Sequence, residues 1–279
     1  MVYIILPVHD RYYKTEEFIK CLLGQNYQNF HVILIDDGSI DGTSEKVQKL
    51  LLNKLTIIKG QGNWWWGGAL HQGFIWLKNN IQLNQNDFVL IMNNDTTFES
   101  GFINEGIKIL NGKSDYLLTA YAYNQDTKNL IDKGVHVNWD KFQFLPAESD
   151  SEINCLSTRG LLLKMSTFFS LNGFHPVLLP HYLSDYEYTI RAHQRGFKLI
   201  TRPEFKLYVD ETTTGNDTLE KGNLLTQLKS MFSKKYKANP FYHISFILLV
   251  SPNKYNNLKL ILVDHLIKAY TFLKRTLIK

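Results

Sequence analysis

Along the first half of this chain, short and mostly apolar runs alternate with segments whose apolar residues recur every three or four positions. Val2–Leu6, His31–Ile35, Leu55–Ile58 and Phe88–Met92 are the runs. Apolar stretches of this length suit strands covered on both faces. Between them, Thr15 can cap a helix whose buried stripe is Phe18, Leu22 and Leu23, with Gly24 near its end. Asp41 or Thr43 starts a second helix carrying Val47, Leu50 and Leu51; Leu70, Phe74 and Leu77 mark a third, and Phe102–Leu110 a fourth. Strand and helix in alternation predict right-handed βαβ units on a mostly parallel sheet with helices on both faces.

Beyond residue 112 the rhythm changes. Tyr116–Tyr123 and Gly134–Trp139 read as strands joined by polar turns, so this part is mixed and partly antiparallel. Leu161–Leu163 and Ser166–Leu171 lead to Gly173-Phe174-His175-Pro176, and Tyr186–His193 forms a helix that Gly196 stops. With no internal repeat and no low-complexity linker, the expectation is one α/β domain over 1–218 and a tail over 219–279. The change of rhythm divides that domain into two halves, 1–112 and 113–218.

Charge changes that picture at one end. The net charge of +5 conceals 11 Lys/Arg against 2 Asp/Glu from Leu219 onward, which leaves 20 against 24 in the first 218 residues. Within Asn257–Lys279, apolar residues at 258, 262, 266, 269, 270, 273 and 277 are interleaved with Lys259, Lys268, Lys274 and Lys279. That is a basic amphipathic helix, suited to a membrane surface or to packing on the preceding domain or a second copy as a homo-oligomer. Nucleic acid is excluded as a partner because the larger part is acidic. No apolar run reaches the ~20 residues of a membrane span. A start directly on a strand-like run predicts no signal peptide, and Cys21 and Cys155 match no metal spacing. The expected location is the cytoplasm, with peripheral contact at the inner face of the plasma membrane.

Four polar stretches then stand where the predicted strands and helices end. Asp36-Asp37-Gly38-Ser39 follows the second strand. Its adjacent carboxylates either accept from a base imide and ribose hydroxyls or simply form a helix-capping turn. Asn93-Asn94-Asp95 follows the fourth; Asp95 is either a helix cap or one hard oxygen ligand for Mg²⁺ or Mn²⁺. Gly60–Gly68 encloses Trp64, Trp65 and Trp66, whose faces can stack on a sugar or base, while Gly67 and Gly68 let backbone N–H groups approach a phosphate. In Ser184–Arg191, Asp185 is either a favourable charge at a helix start or a general base aimed into a cleft. Glu187 reaches an acceptor hydroxyl or Arg191 one turn on.

In this order, Pro7-Val8-His9, Asp36-Asp37-Gly38-Ser39, Asn93-Asn94-Asp95, Asn172-Gly173-Phe174 and Asp185–Arg191 resemble family 2 glycosyltransferases of the GT-A fold, over about residues 1–215. The Trp-rich loop resembles rhamnosyl- and galactofuranosyltransferases. The resemblance implies a nucleotide-sugar donor (UDP- or dTDP-linked) and a glycan or lipid-linked glycan acceptor in cell-surface polysaccharide synthesis. It implies Mn²⁺ or Mg²⁺ as cofactor and a single inverting displacement. Pro7, Val8 and His9 would line the nucleotide, Asp37 would contact the base, Asp95 would hold the cation and Asp185 would be the base. The remaining expected donor contacts are Asp36, Gly67, Gly68, Asn93 and Asn94. The expected acceptor or sugar contacts are Trp65, Trp66, Arg159, Gly160, His181 and Glu187, and Asp210 is a second metal candidate. The chain departs from the family pattern where Asn93 replaces the first Asp of DxD and where His71-Gln72 replaces a common Arg-Asn.

Two rivals share the fold: a sugar-nucleotide nucleotidyltransferase, and a catalytically silent glycan-binding or scaffold protein. The first lacks its Gly-rich basic loop after Leu6; the second is disfavoured by retention of Asp95 and Asp185. A nicotinamide oxidoreductase is excluded by the missing G-x-G-x-x-G.

Overall fold

The computed structural model describes residues 1–211 and 229–277, with side chains as far as residue 268. The four apolar runs form parallel strands β1 (Val2–Val8), β2 (Phe30–Asp36), β3 (Leu55–Lys59) and β4 (Phe88–Ile91). Side chains alternate across a strand, so β1 serves two cores at once. Val2, Ile4, Leu6 and Val8 pack with α1 (Tyr12–Leu23) and α2 (Thr43–Leu51) through Phe18, Ile19, Leu22 and Val47. Tyr3 and Ile5 pack on the other face with α3 (Trp65–Asn80) through Leu70, Phe74 and Leu77. This is the expected sheet with helices on both faces.

The second half completes the sheet with β5 (Thr96–Thr97), β6 (Tyr116–Asn124), β7 (Leu130–Asp132), β10 (Leu161–Lys164) and β11 (Lys198–Val209). The strand order is β3-β2-β1-β4-β10-β6-β11-β5, with β7 beside β6. A separate hairpin joins β8 (Val135–Asn138) to β9 (Gln143–Pro146). Helices α4 (Phe102–Ile109), α5 (Met165–Ser170) and α6 (Ser184–Gln194) cover the sheet.

Direction matters for the site. The carboxyl ends of parallel β1, β2 and β4 share one edge, with Val8 level with Asp36 and Ile5 level with Ile91. Because β10 runs antiparallel, with Leu161 opposite Ile91, it is the start of β10 that reaches the same edge. Residues 7–11, 37–39, 93–95 and 159 therefore meet there, where the strand order reverses beside β1.

Several local expectations are corrected. Thr15 lies inside α1 rather than at its start, and Leu23 is exposed. A stripe through Thr15, Phe18, Ile19 and Leu22 follows the helical period, and the next residue, Leu23, falls off that face. Thr15 is fully buried because its Oγ1 accepts a hydrogen bond from Asn94 Nδ2 at 3.0 Å. Strand β11 is long but unheralded: Pro203 interrupts its pattern, and its pairing with β6 slips between Arg202 and Lys206.

After residue 229 come two helices, α7 (Pro240–Val250) and α8 (Asn257–Leu277). Asn239 caps α7 by accepting the Phe241 N–H at 3.0 Å, with Pro240 in the first turn. Phe246 and Val250 of α7 enter a core shared with Val135, Cys155 and Ile190, and Gln194 Nε2 donates to Val250 O at 2.5 Å. α7 is thus fastened to the sheet domain. Leu260 of α8 is buried, whereas Leu258, Leu262 and Leu266 of the expected apolar stripe face outward. Positions 269, 270, 273 and 277, Lys274 and Lys279 lie outside the described side chains, and the 218/219 boundary lies outside the described residues.

Candidate active site

The shared strand edge opens into a cleft of about 750 Å³, within the range of small-ligand sites. Pro7, Val8, His9, Asp37, Trp65, Trp66, Asn93, Asn94, Asp95, Arg159, His181 and Asp185 all line it. Most of the expected residues are therefore gathered in one place, and their individual jobs differ from expectation in five respects.

Asp36 and Asp37 are used by the fold itself. Asp36 Oδ1 accepts the Ser39 N–H at 2.8 Å, and its other oxygen accepts from Ser44 Oγ. Asp37 Oδ1 accepts the N–H groups of Gly62 and Asn63 at 2.8 and 3.1 Å. Its Oδ2 accepts those of Trp64 and Trp65 at 2.8 and 3.0 Å. Four amides on one carboxylate relieve the repulsion between the neighbouring charges. They also hold Trp65 at a φ of 59°, a conformation a bulky residue avoids unless fixed by its surroundings. Gly38 makes the approach possible, since a Cβ there would lie 2.7 Å from the Gly62 nitrogen. Asp37 borders the cleft, yet its acceptor sites go to the tryptophan loop rather than to a base.

Gly67 and Gly68 are the second correction. Both donate their N–H to Pro180 O, at 2.8 and 3.3 Å, so these amides are not an open phosphate cradle. A Cβ on Gly67 would lie 2.5 Å from Leu179 O, which explains why glycine is needed where α3 meets the segment before α6. Third, Gly160 is a buried β10 approach, not a sugar contact: its N–H donates to Ile91 O at 3.0 Å and its carbonyl accepts from Ala120 N at 3.1 Å. Its neighbour Arg159 does enter the cleft.

Fourth, Glu187 turns into the core, where it is 1% exposed, and takes the Arg191 alternative. Arg191 Nε donates to Glu187 Oε1 at 2.6 Å and Nη2 to Oε2 at 3.0 Å, a bidentate pair. The same guanidinium donates to Leu171 O and, at 2.7 Å, to Gly173 O. His175 Nε2 lies 3.5 Å from Glu187 Oε1. Burial opposes the charge on Glu187, but hydrogen bonds from His175 and Arg191 hold its carboxyl below the usual range. The Asn172-Gly173-Phe174 loop is thus tied to α6 by one ion pair. Fifth, Asp210 pairs with Lys14 at 2.9 Å and is not among the cleft residues, although its N–H donates to Asp95 O at 3.2 Å.

What remains is chemically well defined. Asp185 sits in the first turn of α6, and burial pushes its carboxyl up from 3.8 to about 6, against hydrogen bonds from the backbone N–H groups of Tyr186 and Asp185 and the charge of Arg159. A carboxylate so tuned can accept a proton near neutral pH. Burial lowers His181 to about 4, so it is a neutral imidazole, with its ring 5.3 Å from that of Trp65. Trp66 is steadied by donating Nε1–H to Thr158 Oγ1 at 3.3 Å.

Three buried polar atoms of cleft residues have no hydrogen-bond partner among the described residues: Asn93 Oδ1, Arg159 Nε and His181 Nδ1. Orphaned polar atoms are rare in folded proteins, and three around one cleft mark a place built for a polar ligand. Asn93 Oδ1 and the Asp95 carboxylate are hard oxygen donors two residues apart in one loop, which fits a magnesium- or manganese-type ion. No group of three His, Cys, Asp or Glu side chains is gathered for a metal among the described residues. The protein thus offers a partial ligand set, of the kind that substrate phosphates complete.

Arg11, Gly62, Ala69, Tyr182, Leu183 and Lys237 also line the cleft. Arg11 was within reach of sequence reasoning, being two residues after His9. Lys237 was not, since it lies more than fifty residues beyond Asp185 and no motif marks it.

A mostly parallel sheet with helices on both faces and a loop-built cleft at the β1/β4 edge is a GT-A type of architecture. The model for glycosyl transferase family 2 matches residues 3–164, more than half of the chain, which therefore belongs to that family. The structure is similar to TarS residues 1–349 from S. aureus, with a TM-score of 0.59 at 15% identity over 98% of this chain and 73% of that one. It is also similar to the mannosyltransferase PcManGT from Pyrobaculum calidifontis in complex with GDP-Man and Mn²⁺, with a TM-score of 0.57 at 15% identity over 96% and 75% of the two chains. GalNAc-T7 with UDP, GalNAc and Mn²⁺ gives a TM-score of 0.62 at 15% identity, over 95% of this chain and 55% of that one. Among curated proteins, no sequence is significantly similar.

Proposed function

We propose that this glycosyltransferase moves a sugar from a UDP- or dTDP-linked donor to a hydroxyl of a glycan or lipid-linked glycan, in the building of a cell-surface polysaccharide. The observation that carries this reading is Asp185, a carboxylate with its pKa raised to about 6 in the same cleft as Asp95 and the orphaned Asn93 Oδ1. Proximity and electrostatics dominate such a reaction, because a sugar nucleotide is already activated.

In this reading Pro7, Val8 and His9 border the nucleotide, and His9 is steadied by its ring nitrogen Nδ1 at 2.7 Å from Asp37 O. Asp37 acts at one remove, by fixing the loop that presents Trp65 and Trp66 as an aromatic wall for the sugar. That wall is consistent with a rhamnosyl or galactofuranosyl group. Asn93 Oδ1 and Asp95 hold the cation, and Asn94 keeps the loop in place through Thr15. Bound there, Mn²⁺ or Mg²⁺ supplies Lewis-acid neutralisation of the departing diphosphate. Arg159 adds a fixed positive charge at the cleft, which offsets the carboxylate missing at Asn93. Asp185 accepts the proton of the acceptor hydroxyl as the hydroxyl oxygen bonds to the anomeric carbon and the bond to the diphosphate breaks.

A single displacement inverts the anomeric centre. The product formed with the matched donor and acceptor is expected to show, by NMR coupling at its anomeric proton, the configuration opposite to that of the donor. Retention would overturn the mechanism.

A further inference from the structure

The surface of residues 229–268 combines two properties that seldom occur together. On α8, Leu258, Leu262 and Leu266 are 70%, 55% and 68% exposed and recur at i, i+4 and i+8, with Tyr255 one turn before them. They form an apolar stripe that no described residue covers. The opposite side of α8 is the anchored one: Asn257, Leu260 and Asp264 are buried, and Asp264 bonds to His243 of α7 at 3.1 Å and to Lys268. The stripe is therefore left outward by the way the helix is held.

The charge on this surface is one-sided. Lys229, Lys234, Lys235, Lys237, Lys254 and Lys259 are exposed, and the sole carboxylate among residues 229–268, Asp264, is buried. Two identical faces brought together would set lysine against lysine with no exposed carboxylate in either, so a second copy is a poor occupant. An anionic bilayer supplies what the face lacks, namely negative headgroups for the lysines and an acyl boundary for the leucines. No helix among the described residues is long and apolar enough to cross a membrane, so contact would be parallel to the surface.

We propose that residues 229–268 dock this protein on an anionic lipid surface, with the Leu258–Leu262–Leu266 stripe at the acyl boundary and the lysines among the headgroups. The same segment reaches the cleft: Lys237 lines it and Lys234 Nζ donates to Asn63 O at 3.5 Å in the tryptophan loop. Docking would therefore present the cleft near the headgroup plane, where a lipid-linked hydroxyl would be found. It is independent of the donor's identity, so its failure leaves the transfer chemistry untouched.

The test is co-sedimentation of the full chain with vesicles of phosphatidylcholine alone or with roughly a quarter phosphatidylglycerol, at low and high salt. The chain is expected to bind the phosphatidylglycerol vesicles and to be released by high salt. Leu262→Ser/Leu266→Ser and, separately, Lys254→Glu/Lys259→Glu are each expected to weaken binding by about tenfold or more. All four side chains are exposed or largely solvated, and an unchanged melting temperature confirms that each variant folds. No binding to phosphatidylglycerol vesicles, or binding indifferent to both pairs, overturns the proposal. So does a lipid-free dimer that the leucine pair converts to monomer.

Discussion

Asp185→Asn is expected to lower transfer, read as release of nucleoside diphosphate in the presence of acceptor, by about 10³-fold while leaving donor affinity within about threefold. The amide keeps the shape of the side chain and removes its capacity to take a proton. The same change is expected to stabilise the fold. Burial raises this carboxyl from 3.8 to about 6, so the folded protein binds the proton more tightly than the unfolded chain does. The ionised side chain then costs stability, absent below about pH 4, growing as pH rises to about 6 and constant above it. At pH 7 the Asn variant should be more stable by on the order of 3 kcal/mol, with the difference gone below about pH 4. In the wild type, kcat/KM should fall tenfold per pH unit below about 6. Stability and catalysis thus move in opposite directions at one residue. A variant that is inactive but also destabilised would point to a scaffolding role, and one with full turnover would remove Asp185 from the chemistry.

Arg191→Leu is expected to show the largest loss of stability, about 3–5 kcal/mol, because it strands the carboxylate of Glu187 in the core. For a chain of this size that corresponds to a fall in Tm of roughly 10 °C. The same substitution releases the carbonyls of Leu171 and Gly173 from their shared donor, so the loop before Phe174 loosens as well. Replacing the partner too, as Glu187→Met/Arg191→Leu, should recover the part of the loss that comes from the stranded carboxylate, since a buried ion pair contributes little beyond an apolar pair of equal volume, and leave the part that comes from the carbonyls of Leu171 and Gly173. An unchanged melting curve for Arg191→Leu would show that the pair is not the fastener described here.

The sequence revealed the sheet better than it revealed what each polar residue does. Buried strands leave a continuous apolar trace, so β1 to β4 were legible to within a few residues. β11 was obscured by Pro203 and by a slip in pairing, and α7 by being apolar on nearly every side, which erases helical periodicity. At the site, gathering was legible and assignment was not. Asp36, Asp37, Gly67, Gly68 and Glu187 occupy the expected places, yet their hydrogen bonds run to Ser39, the tryptophan loop, Pro180 and Arg191. A carboxylate that serves a loop and one that serves a ligand look alike in a sequence; only their partners separate them. Asn93, Arg159 and His181 carry polar atoms that no described residue satisfies, and Asp95 and Asp185 line the same cleft.

The reading of Asn93 and Asp95 as a cation site completed by the donor can be tested without knowing the acceptor. Calorimetric titration of the wild type and of Asp95→Ala with UDP-, dTDP- and GDP-sugars, in Mn²⁺ and in EDTA, measures it most directly. One nucleotide class is expected to bind the wild type in Mn²⁺ and to weaken by at least about tenfold both in EDTA and in Asp95→Ala. Binding that is indifferent to the metal and to Asp95, or no binding by any sugar nucleotide, would contradict it.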